Sequence, residues 1–78
     1  MARGTHDPRY RRLISALAAA RRRSGLTQVE LADRLGKRQQ YVSKFESYER
    51  RLDIVEFVDI SRALGLDLHA LLKEIPPA

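Results

Sequence analysis

The sequence predicts an all-α protein, a compact bundle of about five short helices. Apolar residues recur at intervals of three and four in five successive segments, the mark of helices with one buried face. Most of these segments open on a residue able to cap a helix and close on glycine or proline. No stretch keeps the period-two alternation of a half-buried strand. A chain of 78 residues makes one domain at most, with modest stability unless a partner subunit adds to it.

In chain order, residues 1–6 read as a flexible, partly basic N-terminal arm, and residues 7–76 as the folded domain. Asp7 followed by Pro8 starts the first helix, about 8–23: the carboxylate caps it, and the proline lacks an N–H that the first turn would leave unpaired anyway. Tyr10, Leu13, Ile14 and Leu17 form its inner face, and Ser24-Gly25 ends it. Thr27 and Glu30 make a capping box for a second helix, about 28–35, which buries Leu31, Ala32 and Leu35 and stops at Gly36. The third, about 38–47, offers only Val42 and Phe45 as clearly apolar residues. Asp53 and Glu56 open a fourth, about 54–64, with Ile54, Phe57, Ile60, Ser61 and Leu64 on one side and Gly65 beyond. Asp67 caps a fifth, about 68–75, where Leu68, Leu71, Leu72 and Ile75 are apolar and Pro76-Pro77 forbids continuation.

The charge is uneven. Residues 1–51 carry thirteen Lys/Arg and five Asp/Glu, a balance of +8; residues 52–78 carry two and five, a balance of −3, giving the net +5. The first part therefore suits an anionic partner, nucleic acid or an anionic membrane surface. A membrane-lying helix fails because the cations are spread over several capped helices instead of edging one wide apolar face. No apolar run approaches the ~20 residues of a span, and the opening "MARGTHDPRY" lacks the apolar segment of a secretory signal. The expectation is a cytoplasmic protein, with which the absence of cysteine agrees. That absence also excludes disulfides and thiolate metal sites. His6 and His69 stand apart, with no spacing that suggests a metal site or a nucleophile–base pair. We expect no enzyme, no cofactor and no small-molecule ligand.

The third helix holds the chemistry. Helices two and three are separated by a turn of very few residues with glycine at the break, the form of a helix-turn-helix. Projected at about 100° per residue, Gln40, Ser43, Lys44 and Ser47 lie on the side away from Val42 and Phe45. Arg38 and Gln39 project from the N-terminal end. Glutamine pairs bidentately with adenine, and arginine or lysine with guanine, so these are the residue types that reading a major groove requires.

"LTQVELADRLGKRQQYVSKFE" followed by "ERRLDIVEFVDISRALGLDLHALL" resembles the Cro/cI-type (XRE-like) helix-turn-helix domain of phage and bacterial repressors, over roughly residues 10–72. The resemblance implies a lambda-repressor-like fold and a protein of bacterial or phage type resident on the nucleoid. It implies that Arg38, Gln39, Gln40 and Lys44 face base edges. Gln28 would bind backbone phosphate and brace the start of helix three. Lys37, Tyr41 and Ser43 would touch phosphate or sugar, and Arg50 and Arg51 the neighbouring backbone. Arg21 and Glu46 would form a partly buried ion pair that orients the reading helix. Apart from the resemblance, the run Arg21-Arg22-Arg23 supplies either phosphate contacts or solubility, and Arg3 and Arg9 of the N-terminal region are further candidates for DNA contact.

Two positions depart from that family. Tyr48 stands where relatives carry the glycine of a left-handed helix exit, which implies a different exit geometry or an aromatic contact with sugar-phosphate or a partner. Arg38 stands near where relatives place a capping Ser or Thr, which favours DNA contact over capping. Transcriptional repression by a homodimer on a palindromic operator is the expected function, with Leu66, Leu68, His69, Leu72 and Ile75 at the interface. The alternative is an antitoxin-like interaction protein that grips a protein partner as well as DNA.

Overall fold

In the computed structural model, which describes residues 6–77, the chain forms α1 (Pro8–Arg23), α2 (Gln28–Leu35), α3 (Gln39–Glu46), α4 (Ile54–Ala63) and α5 (Leu68–Lys73), with no strand among the described residues. The expected N-terminal arm lies, His6 apart, outside the described residues.

Local chemistry accounts for the helix starts. Asp7 accepts from the Arg9 N–H at 2.8 Å with Pro8 in the first turn. Thr27 and Glu30 satisfy each other's backbone donors at 3.1 and 2.8 Å, and Asp53 and Glu56 repeat the box at 2.8 and 3.0 Å. Asp67 accepts from the His69 and Ala70 N–H groups. α3 differs: its N-cap, Arg38, makes no side-chain capping bond. α5 closes at Lys73 because Ile75 precedes a proline, whose ring pushes the residue before it away from helical backbone.

The exits of α1 to α4 share one geometry, a left-handed residue flanked by paired closing bonds. Gly25, Gly36 and Gly65 occupy three of these positions, at φ 74°, 67° and 67°, and Tyr48 occupies the fourth at φ 68°. After α3 the Glu49 N–H donates to the Lys44 carbonyl at 2.9 Å and the Tyr48 N–H to that of Phe45 at 3.1 Å. The different exit geometry expected of Tyr48 is therefore absent. The tyrosine takes the glycine conformation, and its ring lies against α1.

The core draws on every helix: Ile14 and Leu17 of α1, Leu31 and Ala32 of α2, Val42 and Phe45 of α3, Phe57 and Ile60 of α4, Leu71 of α5, and Leu52 from the loop before α4. Leu52 is held by its N–H donating to the Tyr10 hydroxyl at 2.9 Å. Val42 and Phe45 are fully buried, each worth about 1.5–3 kcal/mol. Rolling α3 about its axis would expose both, so these two side chains decide which of its faces looks outward. Ile54 departs from its expected inward face: at the first position of α4 it is 68% exposed, and the neighbouring Val55 is 64% exposed.

Candidate nucleic-acid interface

α2 and α3 are joined by residues 36–38, with left-handed Gly36 making the reversal. With Val42 and Phe45 turned in, Arg38, Gln39, Gln40 and Lys44 are all exposed along the outer side of α3, and Lys37 is exposed just ahead of it. Because no side chain caps α3, its first N–H groups remain open beside two cations, an arrangement that favours an anion such as phosphate.

A polar chain passes under this ridge. Arg21 of α1 grips Glu46 at the end of α3 with two bonds, Nε to Oε2 at 2.7 Å and Nη2 to Oε1 at 3.0 Å, and donates through Nη1 to the Leu26 carbonyl at 2.8 Å. The two side chains retain only 11% and 9% of their accessible surface. The Glu46 carboxylate beside it raises the Arg21 pKa above its ordinary value, against the opposing effect of burial. Glu46 Oε1 also accepts from Gln28 Nε2 at 3.1 Å, and Gln28 Oε1 accepts from Gln39 Nε2 at 3.4 Å. An ionised carboxylate only accepts, so it turns the Gln28 amide with nitrogen inward and oxygen towards Gln39. The base-facing candidate Gln39 is thereby coupled, through Gln28 and Glu46, to Arg21 on α1.

Tyr41 and Arg50 sit closer to the scaffold than their expected phosphate contacts implied. The Tyr41 ring meets Phe45 edge-on at 5.8 Å and is flanked by Lys37 at 5.4 Å and Arg50 at 4.9 Å. Burial, then the charge of Glu56, pushes its phenol pKa up to about 12. Arg50 forms an ion pair with Glu56 of α4. Ser43 donates back to the Gln40 carbonyl at 3.3 Å. Arg51, Arg22 and Arg23 are exposed, whereas Arg21 is spent on Glu46. Arg9, a candidate for DNA contact, is paired with Asp7 at 3.0 Å, and Arg3 lies outside the described residues.

A short helix, a glycine turn and an exposed second helix held down by two buried side chains are the parts of a DNA-binding helix-turn-helix. The family model described as "Helix-turn-helix" matches residues 17–71, more than half the chain. The chain belongs to the helix-turn-helix family, in its XRE-like form. Its fold superposes on an XRE-family-like protein from Pseudomonas syringae pv. tomato with a TM-score of 0.84 at 50% identity, covering 90% of this chain and 85% of the other. It is 39% identical over 57 residues to an uncharacterized HTH-type transcriptional regulator of Sinorhizobium fredii, covering 72% of this chain and 74% of the relative. It is 41% identical over 66 residues to the antitoxin HigA1 of Mycobacterium tuberculosis, covering 85% of this chain but 44% of that one. The chain thus spans less than half the length of the antitoxin it matches.

The expected interface residues of this helix-turn-helix protein fall into two groups. Leu72 is 47% exposed and His69 is exposed, while Leu66 and Leu68 are half-buried against the core and Ile75 is half-buried. Leu72 borders an apolar groove of about 160 Å³ with Tyr10, Leu13, Phe57 and Ile54. Ile54 and Val55 extend this apolar surface onto α4 and were missed as candidates, because helical periodicity assigns Ile54 to the core. No described helix is long and apolar enough to cross a membrane.

Proposed function

We propose that the protein is a sequence-specific double-stranded DNA-binding transcriptional regulator, a cytoplasmic repressor acting as a homodimer on a palindromic operator with α3 in the major groove. In this reading Arg38, Gln39, Gln40 and Lys44 face base edges, with the amides suited to adenine and the cations to guanine. Lys37, Ser43, Arg51 and the open start of α3 meet phosphate or sugar. Gln28 braces Gln39, and Tyr41 and Arg50 support the ridge from the scaffold side within reach of the same backbone. The observation that carries the reading is the division of α3: two fully buried apolar side chains on one side and four exposed amides and cations on the other.

One helix-turn-helix contacts about half a turn of duplex, so specificity calls for a second copy about 34 Å away along the axis. Leu66, Leu68, His69, Leu72 and Ile75 supply the contact between the copies. Selection of bound duplexes from a random pool at physiological salt tests the reading: recovery of a two-fold symmetric sequence is expected, and recovery of unenriched duplexes would refute it.

A second reading is favoured by the antitoxin relative and by the exposed apolar residues Ile54, Val55 and Leu72. In it, the chain also binds a protein partner. Co-purification of a second protein at defined stoichiometry would support that reading.

A further inference from the structure

Tyr48 sits where the chain is least hospitable to a side chain. At φ 68° it holds a conformation that costs little for glycine and is unfavourable for an aromatic residue. Its side chain makes two contacts with α1 that glycine could not make. The Tyr48 hydroxyl shares a hydrogen bond of 2.9 Å with Ser15 Oγ, and the Arg11 guanidinium lies 4.3 Å from the ring centroid. Arg11 and Ser15 are one turn apart on the same face of α1.

The end of α3 is therefore fastened to α1 twice, by Glu46 to Arg21 and by Tyr48 to Ser15 and Arg11. Ser15 and Arg11 lie six and ten residues before Arg21, which at the helical rise places the two attachments about 9–15 Å apart along α1. Val42 and Phe45 fix which face of α3 is buried, and the two separated attachments add a hold on the angle its end makes with α1.

We propose that Tyr48 is a positioning residue for DNA reading, setting the angle of α3 to the scaffold and through it the discrimination between sequences. This rests on the reading of α3 as the DNA-reading element. Phosphate contacts tolerate a small change of angle because they are charge-driven, whereas bidentate base contacts do not, so loss of the attachment should lower selectivity more than general affinity.

The test compares Tyr48→Gly, Tyr48→Phe and Ser15→Ala with the wild type, on the selected duplex and on a random one. Tyr48→Gly relaxes the backbone and should stay folded, keep its affinity for random DNA within about twofold, and lower the cognate-to-random ratio about tenfold. Tyr48→Phe keeps the ring under Arg11 and should recover most of that ratio; Ser15→Ala should match it. A ratio in Tyr48→Gly within about twofold of wild type would overturn the proposal. Residual dipolar couplings of the free proteins give a readout that needs no DNA: the angle between α1 and α3 should change in Tyr48→Gly, and an unchanged angle would overturn the proposal. If the wild type selects no duplex, the DNA-reading function fails while these couplings still judge the attachment.

Discussion

Replacing Glu46 by alanine removes the acceptor for two Arg21 donors and for the Gln28 amide. Breaking one side of a buried ion pair costs about 3–5 kcal/mol, because the remaining charge stays buried without its partner. The low end applies here. Both side chains keep about a tenth of their exposure, and Arg21 retains its bond to the Leu26 carbonyl. A loss of about 3 kcal/mol is therefore expected in urea unfolding followed by helical circular dichroism, against a total stability of order 5 kcal/mol for so small a domain. At roughly 4–8 °C per kcal/mol this lowers the melting midpoint by about 12–24 °C. Replacing the pair together, Arg21→Met with Glu46→Leu, should return stability to within about 1 kcal/mol of wild type, since neither charge is then buried alone. The same double variant should still discriminate poorly between duplexes, because Gln28 and hence Gln39 lose the carboxylate that orients them. A loss below about 1 kcal/mol for Glu46→Ala would refute the reasoning, as would a double variant with wild-type selectivity.

Three further outcomes are expected. Binding should weaken steeply with salt, and Arg51→Ala should lower affinity equally on all sequences while reducing the log–log salt slope by about 1. A tyrosinate absorbance titration should show a step near pH 12 that Tyr41→Phe removes. Since burial raises the Tyr41 pKa from 10.0 to about 12 in the fold, its stabilising contribution is complete below pH 10 and is lost as pH rises towards 12. Sedimentation at tens of micromolar should give a dimer for the wild type and a monomer for Leu72→Arg, and a wild-type monomer would refute the homodimer.

Most of the fold is legible in the sequence because its determinants are local. Asp7-Pro8, Thr27 with Glu30, and Asp53 with Glu56 each announce a helix start, and three exits are marked by glycine. The division of α3 is equally readable, since Val42 and Phe45 leave one side for everything polar. What was not legible depends on neighbours that are distant in sequence. Nothing around Tyr48 indicates that Ser15 and Arg11, more than thirty residues upstream, compensate for its left-handed backbone. Arg50 and Tyr41 are a different case: their partners Glu56 and Phe45 are only six and four residues away, but amphipathic projection gives a polar or aromatic side chain its face and not the side-chain partner it turns to. Ile54 shows the limit of periodicity: it lies on the apolar stripe of α4, yet at the first position of that helix it stays 68% exposed.

The most direct measurement is binding of Gln40→Ala and Lys44→Ala, two exposed residues of α3, to the duplex selected by the wild type and to a random duplex of equal length. Each variant is expected to lose about 1–3 kcal/mol on the selected duplex, with Gln40→Ala unchanged on the random one and Lys44→Ala reduced there only slightly. Equal losses on both duplexes, or no loss on either, would contradict base reading by α3.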